Sequence, residues 1–241
     1  MVQLIKKYED LLCLLDELIK NESTFRWDEF YLERERDVPF FVLAPDEQLV
    51  EYVCTGLIES GKVLELGCGP GRNAIYLAEN HFEVDVVDLS QKAIDWAMDR
   101  ANERKASIRF IRENIFNLNV NKASYDLVYD SGCFHHIPPH RRMDYIHLVT
   151  TALKPGGHFG LTCFIENGPL GGAAISDLDV YRQQSLQGGL GFTEQKLIQI
   201  FDDFAVIEIR KMKEYPNDSS RFGVNGLLTA LFQKKKVEKV K

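Results

Sequence analysis

The stretch Val63–Ala78, VLELGCGPGRNAIYLA, places three glycines and a proline between an apolar run and a helical pattern. The apolar run predicts a strand, and Gly67, Gly69 and Gly71 alternate with other residues before the helix begins. Glycine adopts positive φ without strain and lets a ligand approach the backbone closely. Such a turn between a strand and a helix of an α/β sheet is typical of a cofactor-binding site.

The spacing of these glycines argues against a dinucleotide. A dinucleotide-binding turn reads G-x-G-x-x-G, and its last glycine admits the pyrophosphate at the helix N-terminus. Here the spacing is G-x-G-x-G, Arg72 stands where the third dinucleotide glycine would be, and Pro70 lacks a backbone donor. We therefore expect a ligand without a pyrophosphate, and a nicotinamide-dependent oxidoreductase is the disfavoured alternative.

An acidic residue closes the next predicted strand, in VDVVDLS. Asp88 follows the glycine turn by roughly twenty residues, the distance at which an acid binds the two hydroxyls of a ribose. Ser90 suits the N-cap of the following helix, and a capping or turn role is the alternative for Asp88. A turn that avoids pyrophosphate, followed by an acid that holds ribose, indicates an adenosine cofactor without phosphates, S-adenosylmethionine.

Five stretches follow one another along the chain: VLELGCGPGRNAIYLA, VDVVDLS, FIRENIFNL, YDLVYDSGCFHHIPPHRR and LKPGGHFGLTCF. Their order and spacing resemble the motifs of class I S-adenosylmethionine-dependent methyltransferases, in particular the small-molecule type related to thiopurine and tellurite-resistance methyltransferases. The resemblance covers residues 62–164 and, in pattern, residues 193–233. It implies a Rossmann-like α/β fold with a seven-stranded, mostly parallel sheet, an antiparallel last strand and helices on both faces. It also implies methyl transfer from S-adenosylmethionine, which leaves S-adenosylhomocysteine.

The resemblance further assigns residues to parts of the cofactor. Asp88 matches the ribose acid, Leu89 beside it would pack on the adenine, and Asn114 and Ile115 match the pair that frames the adenine ring. The family more often has aspartate where Asn114 stands, but an amide oxygen can also accept a hydrogen bond from the adenine amine. The glycine turn lies under the methionine moiety, and the end of the fourth strand passes its amino group. The residues placed at the cofactor are Glu65, Gly67, Cys68, Gly69, Gly71, Asp88, Leu89, Asn114, Ile115, Asp130 and Ser131.

Two histidines follow the fourth predicted strand, beside the reactive end of the cofactor. Methyl transfer is an in-line displacement, and a general base is needed only if the acceptor enters protonated. His135 or His136 is expected to orient or deprotonate the acceptor; the alternative is that one packs in the turn and the other caps a helix. A metal site built from these two and His140 would lack a carboxylate at helical ligand spacing, so we predict no metal.

Two further segments are candidates for the acceptor side. Trp27 and Tyr31 lie in an aromatic stretch that could close over the cofactor as a lid, where an aromatic face suits a sulfonium cation; the alternative is core packing. Residues 165–192 form a Gly-rich stretch that is long for a compact domain, and such loops are usually functional or mobile. Within it, Tyr181 and Arg182 are predicted substrate contacts.

The predicted elements that position these residues alternate between strand and helix. This alternation implies right-handed βαβ units and a parallel sheet. A helix and two closely spaced strands after the loop predict an antiparallel hairpin at the sheet edge. Residues 61–241 are expected to form one core domain, and residues 1–60 a helical extension packed on it. The predicted strands span 62–66, 83–88, 107–112, 126–130 and 157–163, and the predicted helices span 2–20, 45–58, 71–80, 90–104, 139–153 and 193–201.

Composition limits the classes of function. The chain has 241 residues, which suits one α/β domain, and its formal net charge of −7 argues against a general nucleic-acid binder. Five scattered cysteines without a CxxC pair fit reduced cytosolic thiols, and acids interrupt the apolar N-terminus, unlike in a signal peptide. We expect a cytoplasmic enzyme with a small-molecule acceptor and no membrane partner. Protein or RNA methylation and a non-catalytic cofactor-binding protein are the alternatives, and the oligomeric state stays open.

Overall fold

Seven strands form one sheet in the order β3-β2-β1-β4-β5-β7-β6 in the computed structural model, which describes residues 4–19, 26–216 and 218–235. Strands β1 to β5 pair in parallel, and β7 runs antiparallel to both β5 and β6. The predicted Rossmann-like sheet with an antiparallel last strand is confirmed, and β7 lies one position inside the edge because β6 pairs outside it. The strands are β1 (Lys62–Leu66), β2 (Glu83–Asp88), β3 (Ile108–Arg112), β4 (Tyr125–Ser131), β5 (Leu153–Phe164), β6 (Phe204–Lys211) and β7 (Leu227–Lys234).

Helices flank the sheet on both faces, close to the predicted positions. The differences are informative: the first helix begins at Tyr8, and the predicted loop at 165–192 contains a helix that the glycine content obscured. That helix starts where the Ser176 hydroxyl accepts the Asp179 N–H at 3.1 Å. No helix of the described ranges is long and apolar enough to cross a bilayer. The helices are α1 (Tyr8–Ile19), α2 (Trp27–Phe30), α3 (Glu47–Cys54), α4 (Arg72–Glu79), α5 (Gln91–Arg104), α6 (Arg142–Ala152), α7 (Asp177–Gln183) and α8 (Glu194–Ile200).

Two apolar clusters hold the helices against the sheet. Phe159 and Phe201 belong to the cluster that packs α6 and α8 on one face, while Leu49 and Leu77 belong to the cluster that packs α3 and α4 on the other. Both faces of the central strands are therefore buried, which is why those strands read as continuous apolar runs. The carboxyl ends of β1, β2, β3 and β4 consequently meet at one edge of the sheet, where the predicted site residues lie.

The N-terminal segment contacts this same edge. The Asp28 carboxylate of α2 accepts a hydrogen bond from the Ser90 hydroxyl at 2.7 Å, and Asp16 of α1 forms an ion pair with Arg141 at 2.6 Å. Tyr31 packs in a cluster with Phe41 and Trp96 against α5. The extension predicted at residues 1–60 also includes residues 1–3 and 20–25, which lie outside the described residues.

Candidate functional site

The glycine turn after β1 is held in a backbone conformation that other residues adopt only with strain. Gly67, Gly69 and Gly71 have φ of +66°, +50° and +80°. A Cβ on Gly67 would lie 2.7 Å from the Cys133 Cβ, and one on Gly69 would lie 3.0 Å from the Tyr31 hydroxyl. The turn therefore runs between β4 and the N-terminal segment with no space for side chains at these positions.

Asp88, at the end of β2, is bonded to this turn. Its Oδ2 accepts the Gly69 N–H at 2.9 Å, and its Oδ1 accepts the Ser90 N–H at 2.8 Å. Burial raises the pKa of the Asp88 carboxyl, and these two N–H groups oppose that shift. Each carboxylate oxygen keeps a second lone pair that can accept a hydroxyl. The Asp88 carboxylate therefore stabilises the turn, as the alternative interpretation predicts, and it can also accept hydrogen bonds from a diol.

A cavity of about 450 Å³ opens at the glycine turn, a size that suits a small molecule. It collects most of the predicted site residues, which come from α2 and from the carboxyl ends of β1 to β4. Its wall includes Trp27, Tyr31, Glu65, Gly67, Cys68, Gly69, Asp88, Leu89, Asn114, Ile115, Ser131, His135 and His136.

Two of the predicted cofactor residues instead shape the backbone around the cavity. The Asp130 carboxylate is buried, where its Oδ1 accepts the Cys133 N–H at 2.8 Å and its Oδ2 accepts the Tyr145 hydroxyl at 2.7 Å. Burial raises the pKa of Asp130 to about 6. Gly71 is the residue before α4, and a Cβ added to it would lie 2.9 Å from the Ala97 Cβ. Neither lines the cavity.

The predicted substrate contacts on α7 do not reach the cavity. The Tyr181 hydroxyl accepts the His140 N–H at 3.0 Å, and the ring of His140 in turn contacts Asp16 of α1 at 2.9 Å. Arg182 is exposed and pairs with Asp179 at 3.3 Å. Because residues 177–183 form a helix, these side chains face α1 and solvent rather than the glycine turn.

The residues predicted to frame an adenine lie together at the mouth of the cavity. Leu89 is 55% exposed, so its side chain has apolar surface available to a ligand ring. The Asn114 Oδ1 already accepts the Phe116 N–H at 3.0 Å, so it caps the short turn that begins at Ile115. One lone pair of that oxygen stays available to a ligand amine.

Glu65 lines the cavity with a carboxyl oxygen that has no hydrogen-bond partner among the described residues. It is 2% exposed, and the unpartnered oxygen is Oε2. Burial raises its pKa to about 8, and the charge of Arg72 opposes that shift. A buried polar atom without a partner is unusual in a native protein, and a donor group on a ligand would satisfy it.

A buried polar network behind the cavity was not predicted. Asp46 Oδ2 accepts the Tyr129 hydroxyl at 2.7 Å, and its Oδ1 lies 2.5 Å from Arg72 Nη2 as an ion pair rather than an aligned hydrogen bond. Gln48 donates to Tyr129 at 2.8 Å and to Thr162 at 2.7 Å. Asp46 falls in the first turn of the helix predicted at 45–58; in the structure it is the residue before α3, and its side chain does not cap that helix. A sequence signal for this network was the presence of the polar residues Tyr129 and Thr162 within two predicted strands.

The two histidines lie side by side and differ in burial. The His135 ring is 4% exposed and stacks on Phe164 at a centroid distance of 3.7 Å. The His136 ring is partly exposed and meets the edge of Trp27 at 5.0 Å. Burial lowers the pKa of His136 to about 4 and that of His135 well below its ordinary value, so both rings are neutral at pH 7. Within the described ranges, no group of His, Cys, Asp and Glu side chains could hold a metal ion.

The depressed pKa of His136 makes stability depend on pH. Between its ordinary value of 6.5 and its folded value of about 4, the unfolded chain binds more protons than the native state. We expect the free energy of unfolding to fall as pH is lowered through this window, and His136→Gln to make the fall less steep. Urea unfolding of both proteins at pH 7, 5.5 and 4.5 measures this; identical slopes for the two would contradict it.

Trp27 and Tyr31 line the cavity and also pack in the aromatic cluster of the N-terminal segment. Tyr31 is also 6% exposed and stacks on Phe41 at 5.7 Å, so it belongs to the packed cluster over α5. Trp27 and His136 also line a wider groove of about 990 Å³ that continues from the cavity mouth towards α1 and α6.

Comparison with known proteins finds that parts of the chain are similar to methyltransferases. Residues 63–157 match the family described as a methyltransferase domain. An uncharacterised methyltransferase of Schizosaccharomyces pombe is 40% identical over 85 residues, which are 34% of this chain and 59% of that protein. The 2-heptyl-1-hydroxyquinolin-4(1H)-one methyltransferase of Mycobacteroides abscessus is 28% identical over 127 residues, 52% of this chain and 56% of that enzyme. The chain thus spans less than two thirds of the length of these relatives.

A solved structure extends the likeness to nearly the whole fold. The 1,6-didemethyltoxoflavin-N1-methyltransferase of Burkholderia thailandensis, with its substrate and S-adenosylhomocysteine bound, has a TM-score of 0.62 and 19% identity. The match covers 97% of this chain and 92% of that enzyme. Residues 63–157 therefore match a methyltransferase domain, and the chain has the Rossmann-like fold of the class I S-adenosylmethionine-dependent methyltransferases.

Proposed function

We propose that this protein transfers a methyl group from S-adenosylmethionine to a small-molecule acceptor. The observation that carries the proposal is the bond between Asp88 and the Gly69 N–H across a G-x-G-x-G turn. In a nicotinamide enzyme the start of α4 would receive a pyrophosphate. Here Arg72 stands there, buried and paired with Asp46.

The side chains around the turn fit this cofactor. Asp88 has lone pairs for two ribose hydroxyls, and Leu89 and Asn114 border a space for a flat ring. The unpartnered Oε2 of Glu65 offers an acceptor to a donor group of the methionine moiety. The Ser131 hydroxyl, which accepts from Arg72 at 3.0 Å, also lines the cavity. The cofactor, when bound, supplies a methyl group activated by a sulfonium. The protein's part is then to align the acceptor and exclude water.

A small acceptor agrees with the size of the cavity and with the relatives named for their substrates, a hydroxyquinolinone and a didemethyltoxoflavin. His135 and His136 line the cavity as neutral imidazoles, which can accept a proton from an acceptor that enters protonated. We propose His135 and His136 as the catalytic pair. We also propose that the protein is related to the thiopurine and tellurite-resistance methyltransferases.

Ligand-induced stabilisation tests the cofactor. We expect S-adenosylhomocysteine and S-adenosylmethionine, each at 100 times its Kd, to stabilise the native state by about 2.7 kcal/mol, and NAD to have no effect. Thermal unfolding with each ligand in parallel is the measurement. Stabilisation by NAD alone would support an oxidoreductase and would refute the proposal.

Transfer of label separates an enzyme from a non-catalytic binding protein. The protein is incubated with methyl-labelled S-adenosylmethionine and a low-molecular-weight metabolite extract, and the products are separated by chromatography. Label in a new small molecule, reduced with Asp88→Ala at limiting S-adenosylmethionine, supports catalysis. Label in protein or RNA fractions alone would instead assign a macromolecular acceptor.

A further inference from the structure

The two ends of the cavity differ in the strands that form them. In the sheet order β3-β2-β1-β4-β5-β7, Asp88 and Asn114 follow β2 and β3 on one side of the glycine turn. Phe164 ends β5 and Leu227 begins β7 on the other side. If the proposed function holds, adenosine occupies the first end, which leaves the second end, over β5 and β7, for the acceptor.

This acceptor end is apolar and is assembled from separate segments. Phe222 and Leu227 are buried and pack with Met212, and Phe164 and Val224 pack against them. The set comes from the end of β5, the loop that follows it, the β6–β7 connection and the start of β7, so it is a product of the tertiary fold. Its members that line the cavity are Phe164, Leu170, Phe222, Val224 and Leu227.

The charged side chains of the described cavity wall are Glu65 and Asp88, at the end proposed for the cofactor, and Arg72 and Glu113. Arg72 and Glu113 already have partners within the protein. The Arg72 guanidinium stacks on the Phe222 ring at 4.1 Å, but Asp46 at 2.5 Å neutralises it. Glu113 accepts the Asn114 N–H at 2.8 Å, beyond β3. A charged acceptor at the apolar end would lose hydration without gaining a partner among the described residues.

His135 gives the acceptor end its hydrogen-bonding group. Its ring lies flat on Phe164 and lines the cavity, and no described residue bonds its Nδ1. A neutral imidazole in an apolar wall selects a ligand that brings one donor, because the ligand donor satisfies a group that would otherwise stay unpaired. Among the other polar side chains of the wall, Asn73 donates to Asp46 and Thr162 accepts from Gln48, so an acceptor with several polar groups would leave some of them unsatisfied.

We propose that the acceptor is an uncharged, ring-containing small molecule with one hydroxyl, thiol or N–H group, bound against Phe164 and Leu170 with that group at His135. The proposal rests on the methyltransferase function. In the reaction, a lone pair of the acceptor heteroatom forms the new bond to the methyl carbon. The methyl–sulfur bond breaks with its electron pair on sulfur, and the proton of the acceptor passes to His135.

Calorimetric binding of two matched probes tests the acceptor class. 2-Naphthol and 2-naphthoate share a ring system and differ in charge at pH 7, and each is titrated into protein saturated with S-adenosylhomocysteine. We expect 2-naphthol to bind about tenfold or more tighter than 2-naphthoate. His135→Phe, which keeps the aromatic stack, is expected to weaken 2-naphthol about tenfold while the affinity for S-adenosylhomocysteine stays unchanged.

Leu170 offers a variant with little risk to folding, because it is 39% exposed. Leu170→Asp is expected to weaken 2-naphthol about tenfold, and Leu170→Lys to improve 2-naphthoate. Leu178→Asp, at an exposed leucine of α7 outside the cavity, is the matched control and should bind both probes like the wild type.

The outcomes separate the two levels of the proposal. Protein that binds S-adenosylhomocysteine but binds 2-naphthoate as tightly as 2-naphthol, or neither probe, overturns the acceptor class alone. Equal effects of Leu170→Asp and Leu178→Asp overturn the location of the acceptor end. Absence of S-adenosylhomocysteine binding refutes the proposed function itself.

Discussion

Asp46→Ala is expected to lower the free energy of unfolding by about 3–5 kcal/mol, because it leaves the buried Arg72 guanidinium without its counter-charge. Asp46 is fully buried and the Arg72 side chain is 7% exposed, so water replaces the lost partner poorly. The Tyr129 hydroxyl, which donates to Asp46 at 2.7 Å, loses its acceptor as well. Urea unfolding of the wild type and the variant measures the difference.

Two controls show whether the loss comes from the unpaired charge. Adding Arg72→Met to Asp46→Ala should restore part of the stability, because the double variant buries no unpaired cation. Glu29→Ala breaks an ion pair with Arg26 that is 62% and 75% exposed, and it should cost less than about 1 kcal/mol. A cost for Asp46→Ala as small as that for Glu29→Ala would show that the network contributes little.

The features predicted best from the sequence are those that depend on residues close together in the chain. The glycine turn requires positive φ at residues that follow directly on β1, and the Ser90 hydroxyl accepts the Ala93 N–H at 3.1 Å as an N-cap should. The cofactor end of the cavity follows from these local signals, since parallel strands bring their carboxyl ends to one edge.

The unpredicted features depend on residues far apart in the chain. The Asp46–Tyr129 bond joins residues 83 positions apart, and nothing in PDE or VYDS specifies that they meet. Likewise, Tyr181 was expected in a loop over the substrate, whereas Ser176 caps a helix that turns it towards His140. The sequence does not indicate the proposed acceptor end either. That end depends on the pairing of β7 between β5 and β6, which brings the apolar residues of β7 next to Phe164.

Asp88→Ala is expected to weaken S-adenosylhomocysteine binding by about 10- to 100-fold. The carboxylate is the acceptor proposed for the ribose hydroxyls, and hydrogen bonds to a charged group contribute about 1.5–3 kcal/mol. The substitution also frees the Gly69 N–H, which Asp88 bonds at 2.9 Å, so the glycine turn loses part of its fixed geometry. Isothermal titration calorimetry of the variant and the wild type gives the ratio of dissociation constants.

Asp85→Asn is the matched control, because it removes a carboxylate that is also buried but lies outside the cavity. Asp85 lies on the same strand three residues earlier, is 2% exposed and accepts the Tyr125 hydroxyl at 2.8 Å outside the cavity. Its replacement should lower stability while the affinity for S-adenosylhomocysteine stays within about twofold, since nothing it touches would contact the ligand. Equal losses of affinity for Asp85→Asn and Asp88→Ala would mean that Asp88 acts only through the fold, and the ribose assignment would then be wrong.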